Sequence, residues 1–459
     1  MMNLAPKLRA AIEKAGQSHL LEYSSGLLAA QLEEIDWESL PELIQNYVVN
    51  KPQMTIPEDL QPAPYFPLVP RNKAEEEKKA HAKALGIELL KSGKAACLTV
   101  AGGQGTRLGF DGPKGTYPIG PVSGRTLFEY FAQSIARAEE KFGAPIRWYI
   151  MTSALNREAT EKFFRENNDL GLRSDQLFFF TQGTMPAIGY DGKLLMSSPD
   201  SLALSPDGHG GTLLALRKSG ALEQMKKDGV EYISYFQVDN PLVPVVDPLF
   251  IGMHALEKAD MSAIMLAKTN AFEKLGNFCV TNGHLEIIEY SDLPAELAES
   301  RNPDGSLRFI SGSPAIHVIS RAFVERLTAS GKLDLPWHRA DKKIPSISDP
   351  KPEAPHGVKL ESFIFDALAL AEKTLVLEGE RAEMFAPTKN PTGVDSVESC
   401  REMLIARDLR RLRAAGVKVG ENVKVELSPR RVFDDEDAIQ LAADLKLEEI
   451  PGGTETVIG

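Results

Sequence analysis

Apolar residues change their spacing several times along this 459-residue chain, and each change marks an element. Over residues 1 to about 50, Leu20, Leu21, Leu27, Leu28, Leu32, Ile35, Leu40, Leu43 and Ile44 recur at helical spacing between Glu, Gln and Lys. That pattern predicts a helical N-terminal region. Six prolines between residues 51 and 70 then impose an extended connector, because proline lacks a donor and biases its predecessor away from helix. An Ala-, Glu- and Lys-rich stretch predicts a helix over 73–92. From there, short apolar runs alternate with amphipathic ones. Strands are expected at 95–100, 147–151, 177–181, 232–238 and 262–267, and helices at 127–141, 157–167 and 211–227. Such alternation predicts a mostly parallel α/β sheet with helices on both faces.

The later pattern differs. Short runs at 277–281, 285–289, 309–311 and 316–319 sit between Gly, Asn and Asp turns, predicting an antiparallel extension walling the sheet. A helix is expected over 361–373 and a strand at 374–378. The tail reads as a helix at 396–415, then Lys418-Val419, 423–427, Pro429 and a polar end, forming a small C-terminal β-containing domain. The expected division is 1–92, 93–390 and 391–459, with no internal repeat or low-complexity segment.

Composition narrows the class. The chain is 43% hydrophobic and 25% charged, as in globular enzymes, and its length suits about three domains. A net charge of −12 disfavours general binding to nucleic acid or anionic membranes. Cys97, Cys279 and Cys400 lie far apart, so reduced, buried thiols are expected rather than disulfides or metal pairs. The sequence shows neither a signal-peptide core nor a run near the roughly 20 apolar residues of a membrane span, so a cytoplasmic location is expected.

The candidate chemistry centres on Val100-Ala101-Gly102-Gly103-Gln104-Gly105-Thr106-Arg107-Leu108-Gly109, followed by Pro113-Lys114. It follows a buried strand, and its glycines free backbone N–H groups to approach phosphate oxygens. A Walker A loop requires Lys-Ser or Lys-Thr after its last Gly, where Phe110-Asp111 stand. A dinucleotide loop requires Gly at the place of Leu108 and an acid after the next strand, which instead runs into Thr152-Ser153. The sugar-nucleotidyltransferase pattern G-G-x-G-T-R-L followed by P-K is complete.

Other positions remain open on residue chemistry alone. Asp239 ends an apolar run, where it could ligate Mg²⁺ or cap the next turn. The cluster Pro206-Asp207-Gly208-His209-Gly210-Gly211 could bring backbone close to a ligand, with His209 as a donor, or be a flexible loop with a solvated His. Lys359 and Lys389 each follow a turn; solvated surface lysines are the alternative to phosphate contacts.

Together the motifs resemble the eukaryotic-type UDP-sugar pyrophosphorylases, most closely the UDP-N-acetylhexosamine pyrophosphorylases. The resemblance runs from about 20 to 395. It is carried by 101–109 with Pro113-Lys114-Gly115, by Thr181-Gln182-Gly183 with Pro186-Ala187, and by 206–211 and Gln237-Val238-Asp239-Asn240. It continues through Ile288-Glu289-Tyr290-Ser291, Lys342-Lys343-Ile344-Pro345, Lys359-Leu360-Glu361 and 385–390. It implies a Rossmann-like, GT-A-like nucleotidyltransferase domain joining UTP and a sugar 1-phosphate with Mg²⁺. Val100, Ala101, Gly102, Gly103 and Lys114 then resemble the UTP site, and Arg107 the residue facing the triphosphate. Gln182 and Gly208 resemble uridine contacts, and Asp239 the acid that binds Mg²⁺ and phosphate. Lys359 resembles a UTP phosphate contact, Lys389 a sugar-phosphate contact, and Glu289 and Tyr290 sugar-binding positions.

Two sites depart from the amino-sugar enzymes. These carry G-N-G-G where His209 stands, and N-I-A-N in place of Ser313-Pro314-Ala315-Ile316; UDP-glucose pyrophosphorylases typically carry Gly-His-Gly. The resemblance therefore implies N-acetylglucosamine 1-phosphate as substrate, with glucose 1-phosphate or a broad hexose range as the alternative. A UDP-sugar sensor without turnover and a nicotinamide-dependent oxidoreductase are the competing classes. The sequence leaves oligomeric state open between a monomer and a weak homo-oligomer.

Overall fold

The computed structural model describes residues 4–23, 25–52 and 55–459. Gln53 and Met54 of the expected connector, and Met1–Asn3 and Ser24 of the N-terminal region, lie outside the described residues. The chain divides into two compact units. One comprises Met1–Ile56, Gln182–Thr212 and Asp334–Asp366; the other comprises Pro57–Thr181, Leu213–Leu333 and Ala367–Gly459.

The larger unit is built on an eleven-stranded sheet. In chain order its strands are β1 (Gln61–Pro62), β2 (Ala95–Val100), β3 (Trp148–Thr152), β4 (Leu177–Thr181), β5 (Tyr232–Gln237) and β6 (Met261–Ala267). They continue with β7 (Gly276–Thr281), β8 (His284–Ile288), β9 (Ser311–Ser313), β10 (His317–Ser320) and β11 (Thr374–Glu378). The spatial order is β1-β7-β9-β6-β10-β5-β2-β3-β4, with β8 beside β7 and β11 beside β6. Strands β5, β2, β3 and β4 run parallel. The near-continuous apolar runs of β2 and β3 suit strands covered on both faces. The chain steps from β2 to β3 to β4, then returns to place β5 on the other side of β2. The strand order therefore reverses between β2 and β5, where open α/β sheets bind ligands.

Helices at Leu127–Phe142 and Arg157–Glu166 follow their strands. The first starts with a capping box, Thr126 Oγ1 accepting from Glu129 N–H at 3.2 Å and Glu129 Oε2 from Thr126 N–H at 2.7 Å. It ends at Gly143 in the left-handed region. Its Phe128 and Phe131 pack edge-on against Trp148 of β3, each such burial contributing about 1.5–3 kcal/mol.

Four expectations are corrected. The run at 316–319, expected in the side wall, forms β10 one residue later, an inner strand antiparallel to both β5 and β6. Its buried run His317-Val318-Ile319 is covered on both sides, which an edge strand would not be. The run expected at 309–311 pairs instead as β9, two residues later. The single helix expected over 211–227 is two helices, Thr212–Lys218 and Ala221–Lys227, broken where Gly220 takes φ +79°. The helix expected over 361–373 is a strand, Gly357–Glu361, followed by a 3₁₀ turn, Ile364–Leu370. Val358 and Leu360 are buried while Lys359 and Glu361 are only half-buried, a period of two.

The tail keeps its expected helix, Val397–Ala414, and adds parallel pairs Lys418–Val419 with Glu449–Ile450 and Lys424–Leu427 with Glu455–Ile458. Its polar end contains another helix, Asp435–Asp444, capped by Asp434. The three cysteines are buried and unpaired. Among the described residues no helix is long and apolar enough to cross a membrane.

In the smaller unit the apolar positions of the N-terminal helices, including Ile12, Leu20, Leu28 and Leu32, share a core with Ile188, Leu194, Val358 and Leu360. A three-stranded antiparallel sheet orders His338–Lys342, Gly357–Glu361 and Ile188–Gly189.

Candidate active site

At the carboxyl end of β2, Ala101 N–H donates to Met151 O at 2.8 Å, rooting the glycine loop on β3. The loop then laces onto itself: Gly105 N–H donates to Gly112 O at 2.9 Å, and Lys114 N–H to Gly103 O at 3.0 Å. Among the described residues the Gly102 and Gly103 N–H groups have no backbone acceptor. A Cβ added at Gly103 would meet nothing within 4 Å. This backbone is open toward solvent, as a phosphate cradle must be. Arg107 sits exposed in the turn Thr106–Leu108.

Val238 N–H donates to Val100 O at 3.1 Å as β5 leaves the sheet, which puts Asp239 beside the loop. Asp239 Oδ2 accepts from Lys114 Nζ at 3.1 Å, with side-chain exposures of 16% and 15%. Thr388 N–H donates to Asp239 O at 2.9 Å, bringing the Lys389 turn to the same place. Burial raises the Asp239 carboxyl's pKa, but Lys114 and Lys389 outweigh it and hold the group below the usual carboxylate range. Three residues from distant parts of the sequence thus converge at the strand-order reversal. Glu289 is half-buried and Tyr290 exposed just past β8. They are supported from below: the buried Lys268 donates to Asn277 Oδ1 at 2.5 Å, and Asn277 Nδ2 to Ile288 O at 3.2 Å.

In the smaller unit Gln182 Nε2 donates to Asp207 Oδ1 at 3.4 Å and Gly208 O at 3.3 Å. Here the structure decides against a flexible loop with a solvated His. Gly208 (φ +89°) and Gly210 press against the backbone of Ser362 and Phe363, where any Cβ would collide at 2.2 and 2.8 Å. The His209 ring stacks on Phe363, centroids 5.1 Å apart, and its Nδ1 accepts from Ile364 N–H at 3.1 Å. That bond leaves the proton of the neutral ring on Nε2, a donor. Burial, with His338 adding, lowers the His209 pKa to about 4. His338 stacks on the same Phe363 at 4.2 Å and bonds Asp366 at 2.9 Å. Lys359 is half-buried on its strand, paired in register with Ala340.

Two supporting residues had no role in the sequence reading, Asn240 standing there only as part of a motif. Buried Asn156 donates from Nδ2 to Ala101 O at 2.8 Å and Gly103 O at 3.2 Å, fixing the loop's carbonyls. Asn240 Oδ1 accepts from Ala386 N–H at 2.9 Å and its Nδ2 donates to Met384 O at 2.7 Å, holding the approach to Lys389. Asn240 follows directly on Asp239, a cue in the sequence; Asn156 reads only as a helix start. Among the described residues no group of three or more His, Cys, Asp or Glu could hold a metal ion. Asp239 offers one carboxylate, which suits a divalent ion sharing its shell with substrate phosphates.

Comparison with known proteins agrees with this architecture. A family model described as UTP--glucose-1-phosphate uridylyltransferase matches residues 30–446. The chain is 34% identical over 435 residues to UDP-N-acetylhexosamine pyrophosphorylase-like protein 1 of Homo sapiens, covering 90% of this chain and 86% of that protein. It is 35% identical over 394 residues to the UDP-N-acetylglucosamine pyrophosphorylase of Saccharomyces cerevisiae, covering 83% and 82%. In fold it is similar to the crystal structure of the uridine diphosphate N-acetylglucosamine pyrophosphorylase of Trypanosoma brucei, with TM-score 0.81, 24% identity, and coverage of 96% of this chain and 97% of that one. Matched along most of its length, the chain belongs to the UTP--glucose-1-phosphate uridylyltransferase family.

Proposed function

We propose that this protein joins UTP to N-acetylglucosamine 1-phosphate in the cytoplasm, forming the UDP-sugar and pyrophosphate. The observation that carries the reading is the convergence of Lys114, Asp239 and Lys389 beside an open glycine loop at the sheet's switch point. A phosphate oxygen of the sugar phosphate attacks the α-phosphorus of UTP. The bond to the β-phosphate bridge breaks, and pyrophosphate leaves with its electron pair. The nucleophile is already an anion, so the protein's work is alignment and charge offset.

On this reading Val100, Ala101, Gly102 and Gly103 cradle the nucleotide, Arg107 and Lys359 face its phosphates, and Gln182 and Gly208 meet the uridine. Lys114 is held by Asp239 until phosphate oxygens replace that carboxylate as its partner. Lys389 takes the sugar phosphate, and His209, Glu289 and Tyr290 take the sugar. Mg²⁺, held by Asp239 and substrate phosphates, would supply further positive charge.

The names of the human and yeast relatives support an amino-sugar substrate. His209 and Ser313-Pro314-Ala315-Ile316 favour glucose 1-phosphate as the second reading. The test is pyrophosphate release from UTP and Mg²⁺ with N-acetylglucosamine, N-acetylgalactosamine, glucose and galactose 1-phosphates. Fastest release with N-acetylglucosamine 1-phosphate is expected. A preference for glucose 1-phosphate selects the second reading, and no release with any sugar overturns both.

A further inference from the structure

The tail beyond residue 391 grips the chain next to the cationic loops. The turn Lys114–Thr116 runs into a segment, residues 118–125, that has little secondary structure of its own. Ile119 and Gly120 N–H bond within the segment, both to Arg125 O, and the tail satisfies two further carbonyls and two further amides. Arg401, on the helix Val397–Ala414, donates from Nη2 to Pro118 O at 2.8 Å and from Nε to Ile119 O at 3.2 Å. Glu426, on the strand Lys424–Leu427, is fully buried. Its carboxylate accepts from Val122 N–H at 3.0 Å, Ser123 N–H at 2.8 Å, Ser123 Oγ at 2.5 Å and Arg125 Nη1 at 2.9 Å. A buried carboxylate is costly unless its lone pairs are filled, and here one segment fills them.

The same helix also anchors the other cation. Its cap, Ser396, follows directly on Asp395, whose carbonyl accepts from Lys389 N–H at 2.6 Å and Asn390 N–H at 3.0 Å. One turn in, Cys400 Sγ donates to Ala386 O at 3.0 Å. Arg401, the next residue, is the one that holds Pro118 and Ile119. A single helix therefore fixes the Lys389 turn with its first turn and the segment after Lys114 with the adjacent side chain.

We propose that Arg401 and Glu426 are positioning residues that set Lys114 against Asp239 and in register with Lys389, so that the tail tunes the nucleotide half of the reaction. The inference rests on the uridylyltransferase reading. It assigns the tail a part that neither touches substrate nor merely adds stability.

The test compares Arg401→Met and Arg401→Lys with the parent enzyme, in the full chain. Arg401→Met is expected to raise KM for UTP about tenfold and lower kcat, with KM for the sugar phosphate and the melting temperature little changed. Arg401→Lys, keeping one donor, should recover part of the loss. On a Lys114→Ala background, Arg401→Met should add little, because its effect passes through Lys114. Glu426→Gln should shift the same constant if the protein stays folded. Equal losses for both substrates, or an undiminished effect on the Lys114→Ala background, would mean that Arg401 is only structural, and the proposal falls. Unchanged kinetics in Arg401→Met also overturn it while leaving the uridylyltransferase reading intact. A parent enzyme that releases no pyrophosphate with any sugar phosphate removes both.

Discussion

Two glycine-rich segments of this protein look alike in sequence and are built for different reasons. In the loop after β2, a Cβ at Gly103 would meet open space, and the Gly102 and Gly103 N–H groups have no backbone acceptor among the described residues. In the 206–211 cluster, Gly208 and Gly210 abut Ser362 and Phe363, and a Cβ at Gly211 would lie 2.3 Å from the Asp207 carboxylate. The first segment lacks side chains so that something else can approach. The second lacks them so that the protein can approach itself, which in turn fixes the His209 ring. Glycine content reports that a side chain is not tolerated; only the neighbouring atoms show what takes its place.

The largest effect should come from the cations that the open loop faces. Lys389→Ala is expected to lower kcat about 10²–10³-fold, the scale for losing one preorganised charge aimed at developing negative charge. Its melting temperature should stay near the parent's, since the Lys389 backbone is held through Asp395 and Asn240. Asp239→Asn should act similarly and in addition shift the Mg²⁺ titration of activity to higher concentration. Rates unchanged in Lys389→Ala, or an unaltered Mg²⁺ titration in Asp239→Asn, would separate that residue from the loop and weaken the reading of the loop as a substrate cradle.

Much of this site was legible because its pieces lie where buried runs end. The runs at 95–100, 177–181 and 374–378 become strands to the residue, being apolar stretches bounded by polar or turn residues. The motif after 95–100 supplied Lys114 and the end of the 232–238 run supplied Asp239, whereas Lys389 stands in a turn of its own and was legible only through the family resemblance. What escaped is set by long-range packing. The run at 316–319 becomes an inner strand, one residue later, only because β5 and β6 flank it. Residues 357–361 become a strand because Val358 and Leu360 join a core shared with helices more than 300 residues earlier. The 435–444 helix carries acids through its first turn, which complement the helix dipole but read as a solvated tail. Asn156 acts through two carbonyls more than fifty residues back, and no local pattern announces that.

A pair of alanine substitutions tests the comparison itself. Gly208→Ala must hold a side chain at φ +89° and push it to 2.2 Å from Ser362 O. Backbone strain and overpacking together predict a loss of about 3–5 kcal/mol, seen as a large fall in the denaturant midpoint. Gly103→Ala has free space, so its stability should match the parent's within about 0.5 kcal/mol. Its cost should appear instead as a severalfold rise in KM for UTP, because a methyl group now stands where phosphate oxygens approach the backbone. If the two variants exchanged these phenotypes, the assignment of one segment to ligand and the other to self-packing would be reversed.

The smallest effect should lie at His209, where the two kinds of glycine segment meet in purpose: self-packing presents a single donor. The ring's folded pKa of about 4 lies below the unfolded value of about 6.5. The unfolded state therefore binds more protons between those limits. The stability tied to neutral His209 is full above about pH 6.5 and is lost as pH falls toward 4. His209→Asn removes this titration, so the melting temperature of the variant should fall less steeply than the parent's between pH 6.5 and 4. At pH 7.5 the ring is neutral, its Nδ1 engaged by Ile364 and its Nε2 proton available, so its influence on the reaction is that of one hydrogen-bond donor. Exchanging it for an amide, which can both donate and accept, should change the ratio of kcat/KM for N-acetylglucosamine 1-phosphate over glucose 1-phosphate by less than about tenfold, in favour of the acetamido sugar. An unmoved ratio together with the flattened acid limb would make His209 a packing residue alone. In that case sugar choice would rest with Glu289, Tyr290 and the Ser313-Pro314-Ala315-Ile316 segment.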